Sequence, residues 1–260
     1  MGFKSIFLLS LSLTLFSSQI SFAGISGRLM QIAATHDGHR KIENHLLVKA
    51  LREKKFRREQ VAQFFQDRIY ILQILEHRLL ADNQIDQDPA VFPKKAFYRS
   101  EAYQKDLEKL MGRWTQIEPS DAALNYGAYL STASDESAAL HLWLFLIGET
   151  FGAQHISHYI NAKYKDAGDA SQDFGNLKLL QVRGHFNRWI DQKLNDTNLN
   201  YEHEIQSAFE QLHALFEDAY LTPHVSPCRS TMTAISQLYS KAISALSLGP
   251  WSSSTCITSD

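Results

Sequence analysis

His39 and Glu43 stand one helical turn apart in the segment AATHDGHRKIEN, residues 33–44, a pairing that suits a metal-binding imidazole. A ligating histidine works best when an acceptor holds its second ring nitrogen, fixing the tautomer and raising basicity, and a carboxylate at i+4 can reach that nitrogen. Taken alone, His39 also reads as a partly buried core histidine. Much later, LIGETFGAQ at residues 146–154 places Gly148 and Gly152 four residues apart, which strips one face of a helix of side chains for a turn. Each glycine costs about 1 kcal/mol relative to alanine inside a helix, so the pair implies a use. That use is either a close helix–helix approach or a flat ligand lying against bare backbone. A histidine on one side and a bare helix on the other would clamp a flat, metal-bearing cofactor.

The elements that must carry these residues are helical. Apolar positions recur with helical spacing at Leu29, Ile32, Ala33, His36, His39 and Ile42 to Leu46, which predicts one first helix. A long second helix is expected over Phe56 to Leu80, with Phe64, Phe65, Ile69, Leu72 and Leu75 to Leu79 inward, ended by the Asp- and Asn-rich stretch before Pro89. Further helices are expected at Ala96 to Met111, Asp121 to Ser131, Ser137 to Lys163, Leu177 to Leu194 and Tyr201 to Leu221. Ser120 and Ser134 suit helix starts, because a serine hydroxyl can accept a free first-turn amide. Strand-like alternation is absent, and the pattern predicts an all-α, multi-helical bundle. Beyond Thr222-Pro223 the composition shifts to Ser, Thr and Pro, with one more amphipathic stretch at Thr231 to Leu246.

The 260 residues suit one domain with a substantial core, flanked by a leader at residues 1–23 and an extension at residues 223–260. The leader reads as a secretory signal peptide: Lys4 is the positive start, Ile6 to Phe16 is apolar, and Ser21-Phe22-Ala23 is a small-x-small cleavage site. Its apolar run is shorter than the roughly 20 residues that span a bilayer, and no other segment is apolar enough, so an exported chain without a stable membrane span is expected. Lys+Arg 26 against Asp+Glu 28 gives a net charge of −2, which supplies no basic field for nucleic acid. The one basic cluster, Arg52 to Arg58, reads first as a solvated helix end and second as a phosphate or partner contact. The only cysteines, Cys228 and Cys256, could form one disulfide in an oxidising compartment; their number and spacing do not suit a zinc site.

Over roughly Ser26 to Tyr220 the chain resembles heme oxygenase, with landmarks in the family's order. Ala34-Thr35-His36-Asp37-Gly38-His39 followed by Glu43-Asn44 is similar to the segment that ends in the family's proximal histidine. Phe92-Pro93, Arg99, Asp106-Leu107 and Gly112 are similar to its FP…R…DL…G run. Leu146 to Gln154 matches a distal-helix pattern close to LGDLSGGQ, and Val182-Arg183 with Asn187 matches a YR…N stretch. Ala208-Phe209 with Leu215-Phe216-Glu217 resembles the family's last core helix.

The resemblance implies that His39 ligates heme iron, that Gly148, Gly152 and Ala153 lie near the porphyrin face, and that Arg183 pairs with a heme propionate. Arg183 can equally form a surface ion pair, and Glu149, at the family's distal aspartate, can equally be a solvated surface residue. As a distal group, Glu149 would order the water that delivers protons. The departures are specific: Glu149 is one methylene longer than aspartate, Ala153 replaces a glycine and Phe151 a serine. Ile32 and His36 stand where the family often has lysines, and Phe145 where it has arginine. The implied activity is oxidative cleavage of heme to biliverdin, carbon monoxide and iron with O2 and electrons from an external, unidentified reductase. Two rivals remain: a non-catalytic exported heme carrier, and a heme-free di-iron enzyme of the same fold, for which His155, His158, Glu76-His77 and His213-Glu217 offer ligand types.

Overall fold

The computed structural model describes residues 24–80, 93–112, 117–175, 177–195 and 197–221; the leader, both cysteines and the extension lie outside them. Among the described residues there is no strand. The helices are α1 (Ile25–Thr35), α2 (Asp37–Glu43), α3 (Leu46–Arg52), α4 (Arg58–Leu80), α5 (Lys94–Phe97), α6 (Ser100–Met111), α7 (Asp121–Thr132), α8 (Asp135–Gly148), α9 (Gln154–Asn161), α10 (Leu179–Lys193) and α11 (Tyr201–Leu221). A π-turn at Glu149–Ala153 joins α8 to α9, and a short 3₁₀ turn spans Ala170–Gln172.

Two helices form the centre. In α8 every residue from Ser137 to Ile147 is buried, as expected of a helix that is apolar all round. Helix α4 touches α6, α7, α8 and α11, and it buries polar groups as well as Phe65, Ile71, Leu72 and Leu75. Those polar groups hold the starts of other helices. Asp67 accepts the Ser120 amide and hydroxyl, each at 2.8 Å, and Glu76 accepts the amides of Arg99 at 2.6 Å and Ser100 at 2.8 Å. An acid that accepts backbone amides satisfies groups that a helix start leaves unpaired. Ser120 and Ser134 cap α7 and α8 as their positions predict, accepting from Ala123 and Ser137 at 3.2 and 3.1 Å.

Two helices expected to be continuous are broken. The first is split into α1, α2 and α3, because His36 and His45 take extended backbone conformations and turn their rings onto the next helix as caps. His36 Nδ1 accepts from the Gly38 amide at 3.0 Å, and His45 Nδ1 from the Leu47 amide at 3.1 Å. An imidazole nitrogen that accepts must be unprotonated, so His45 is the neutral tautomer and donates from Nε2 to Glu217 at 2.9 Å. Burial, the largest influence on His45, pushes its pKa down and favours that state. The second break is the π-turn at Glu149–Ala153, inside the expected Ser137 to Lys163 helix.

Candidate functional site

On the first side, α2 presents His39 between a carboxylate and an aromatic ring. The Glu43 carboxylate lies 3.9 Å from Nδ1, with both side chains partly exposed. The contact falls on Nδ1, so Nε2 is the nitrogen left to bind a metal. The ring meets Phe209 of α11 edge-on at 6.1 Å, while His36 stacks on the same phenyl at 5.5 Å. His36 is therefore occupied as a cap and a stacking partner, and His39 is the imidazole of α2 that is free to coordinate. Gly38 makes this packing possible. A Cβ there would sit 2.5 Å from Phe209 Cβ, well inside contact distance.

On the second side, Gly148 and Gly152 are exposed, and an added Cβ at either would meet nothing within 4 Å. Neither glycine serves a close helix–helix approach. The bare face expected from their spacing is open, which is the cradle a flat ligand requires. Ala153 is buried, 6% exposed, so it stands apart from the two exposed glycines. A cleft of ≈ 430 Å³ lies elsewhere, lined by Ser157, His158, Asn161, Asp173 and Phe174 among others. It includes neither Gly148, Gly152 nor His39, so the open glycine face lies outside that cleft.

Glu149 is completely buried, and its Oε2 accepts from Arg99 Nε at 2.9 Å in an ion pair that is 0% exposed on both sides. Arg99 also donates to the carbonyls of Asp173 at 3.1 Å and Ser171 at 2.6 Å, and its guanidinium lies 4.2 Å from the Phe174 ring centre. Burial pushes the Glu149 pKa up, opposed by the charges of Arg99 and Arg68. The solvated-surface alternative for Glu149 does not describe this residue. Arg183 donates from Nε to Thr150 Oγ1 at 3.1 Å and from Nη2 to the Thr150 carbonyl, and it stacks 3.5 Å over Phe151. Desolvation lowers its pKa. Thr150 thus has its carbonyl satisfied by side chains of Arg183 and Gln154 where the π-turn interrupts the ordinary helical ladder. Asn187, one turn beyond Arg183, accepts from Trp143 Nε1 at 3.2 Å and ties α10 to α8.

Neither the pairing of Glu149 with Arg99 and Arg68 nor the capping role of His36 is expected from residue spacing. The available signal was the run of charged residues inside apolar α4, since Asp67, Arg68 and Glu76 must be partnered if that helix is central. The residues proposed for a di-iron centre are dispersed: Glu76 caps α6, and His213 packs edge-on against His45 at 4.9 Å. Among the described residues no group of three or more His, Cys, Asp or Glu side chains is placed to hold a metal ion.

A family model described as heme oxygenase matches residues 28–218. The chain belongs to the heme oxygenase family. Its fold is that of solved family structures at low identity. Heme oxygenase-2 from Synechocystis sp. PCC 6803, solved with heme and NO, matches with a TM-score of 0.60 and 23% identity over 76% of this chain and 85% of the other. Heme oxygenase-1 from the same cyanobacterium, solved with heme, gives 0.61 and 14% identity over 86% and 100%. Heme oxygenase from Leptospira interrogans gives 0.56 and 16% over 76% and 97%. No curated protein matches the chain in sequence. The all-α heme oxygenase fold expected from the sequence is thus established.

Proposed function

We propose that this chain binds heme between His39 and the Gly148–Gly152 face and cleaves it oxidatively to biliverdin, carbon monoxide and iron. The carrying observation is the open, side-chain-free face at Gly148 and Gly152. Membership of the family and the heme complexes of its structural neighbours support the same ligand. His39 would hold the iron through Nε2, with the Glu43 carboxylate on the Nδ1 side within reach to orient the ring. When bound, heme supplies both the iron that activates O2 and the ring that is cut. Gly148 and Gly152 let the backbone approach the ring plane. Oε1 of Glu149, the oxygen that Arg99 does not take, is the atom through which a proton would be relayed in turnover, the carboxylate being ionised at rest. Arg183 would hold a propionate in place of part of its contact with Thr150, a bidentate pairing its planar guanidinium favours. Electrons come from an external donor, and the leader at residues 1–23 directs the chain out of the cytoplasm.

A second reading, a non-catalytic exported heme carrier, is favoured by one observation: the Glu149 carboxylate is locked in a wholly buried pair with Arg99. One titration followed by one reaction separates the two. Hemin added to the chain should bind one to one with the absorption spectrum of histidine-ligated heme, lost in His39→Ala and kept in His36→Ala. An unchanged spectrum in His39→Ala would sink the ligand assignment. A chemical reductant and O2 should then bleach the Soret band and yield biliverdin, whereas a carrier leaves the heme intact.

A further inference from the structure

Two oppositely charged side chains each leave one polar atom buried without a hydrogen-bond partner among the described residues: Glu149 through Oε1 and Arg68 through Nε. Natural cores rarely leave such atoms unsatisfied, so a pair of opposite sign in one cluster marks an interaction of charge with charge. Arg68 reaches the cluster from α4. Its guanidinium carbon lies 4.6 Å from the ring centre of Phe64, 5.4 Å from Phe145 and 5.5 Å from Tyr103, an apolar collar that leaves its charge unscreened by water. Phe145 lies one helical turn before Glu149, so the guanidinium over its ring is on the side of the helix that leads to that carboxylate. Arg99 cannot do the whole task, because its guanidinium is divided between Glu149 Oε2 and the carbonyls of Ser171 and Asp173.

We infer that Arg68 is a positioning residue for Glu149, so that the carboxylate is clamped between one cation from α4 and another from the start of α6. This rests on the heme reading of the adjacent Gly148 for its purpose, since the clamp fixes the carboxylate beside that face. The other charged and titratable groups of the cluster are Glu76 of α4 and Tyr103 and Asp106 of α6. Glu76 is committed to the Arg99 and Ser100 amides and Asp106 to the Ala170 and Ser171 amides, and Tyr103 offers Glu149 a hydroxyl that carries no charge, so none of the three replaces the charge of Arg68. Without Arg68, the Arg99 guanidinium alone opposes the burial of Glu149, whose charge also acts against that of Glu76, and Glu149 takes up a proton.

The test uses the ligand-free full chain and infrared spectroscopy in the carbonyl region at neutral pH. Relative to wild type, Arg68→Met should gain the stretch of one neutral carboxylic acid. That band should be absent from Arg68→Met/Glu149→Gln and from Arg68→Lys, which restores the charge. Glu76, pushed up to about 7 by burial, contributes to every sample and is removed by the double-variant comparison. If circular dichroism shows Arg68→Met unfolded, Arg68→Gln is read the same way. The clamp is refuted by no new band in the charge-removing variants, by a band that survives Glu149→Gln, by a band retained in Arg68→Lys, or by a Glu149 band already present in wild type. The measurement needs no heme. A chain that fails to bind hemin but shows the expected bands loses the heme reading and keeps the clamp; the reverse result removes only the clamp.

Discussion

The two sides of the candidate site interrupt a helix in opposite ways. On the His39 side, the breaks are made by near neighbours: His36 and His45 cap the helices that follow them, and Gly38 lets α2 settle on Phe209. On the Gly148 side, the π-turn is held by residues distant in sequence, with Arg99 on Glu149 and Arg183 on Thr150. The first side is held by stacking and caps, and the second by buried charge. They should therefore fail under different insults, the charged side more steeply because removing one member of a buried pair strands the other.

The sharpest separation is Glu149→Ala, expected to destabilise the fold by about 3 to 5 kcal/mol because it breaks an ion pair that is 0% exposed on both sides. Chemical denaturation measures it, and a loss below about 1 kcal/mol would show that the pair is not what holds the turn. Hemin affinity should survive in whatever fraction folds, while biliverdin formation stops.

Next in size is a pH effect on the charged side. The Glu76 pKa is raised from 4.5 to about 7, chiefly by burial. The native state then binds the proton more tightly than the unfolded chain, so stability falls as pH rises from 4.5 to about 7 and is flat above. The span is on the order of 3 kcal/mol. Glu76→Gln, which cannot ionise, should flatten that slope in denaturation curves taken across the window, and an unchanged slope would assign it to another group.

On the stacked side, Gly38→Ala should cost about 1 to 3 kcal/mol through overpacking against Phe209, with little dependence on pH. It should also broaden the spectrum of bound hemin as His39 shifts. Wild-type stability in this variant would mean that α2 is not seated as described.

The smallest stability effect belongs to Gly148→Leu and Gly152→Leu. Both positions are open, so melting should barely change, or rise slightly through helix propensity, while hemin binding drops. Normal hemin binding by both variants would remove that face from the site.

How much of this could be read in the sequence follows the same division. Periodicity located the helices, and Tyr201 to Leu221 is observed as expected, because apolar spacing reports burial directly. The histidine caps escaped because histidine is not among the usual capping residues and its apolar spacing here also fits a continuous helix. The π-turn escaped because Gly148 and Gly152 are compatible with an uninterrupted helix. Glu149 was legible as a candidate by motif, yet its environment was not, since Arg99 lies 50 residues earlier and Arg68 on another helix. Pairings across that separation are made by the fold, and one chain's spacing does not record them.

The two buried acids of α4 have a consequence for how this chain tolerates change in length. Asp67 grips Ser120 and Glu76 grips Ser100, nine positions apart on one rigid helix, a rise of about 13.5 Å. Helix α4 is thus a ruler that sets where α6 and α7 begin, independently of the chain that joins them. Residues added or removed between Gly112 and Ser120 can alter that connection without sliding either helix, so the spacing behind Glu149 is insulated from a change in its length.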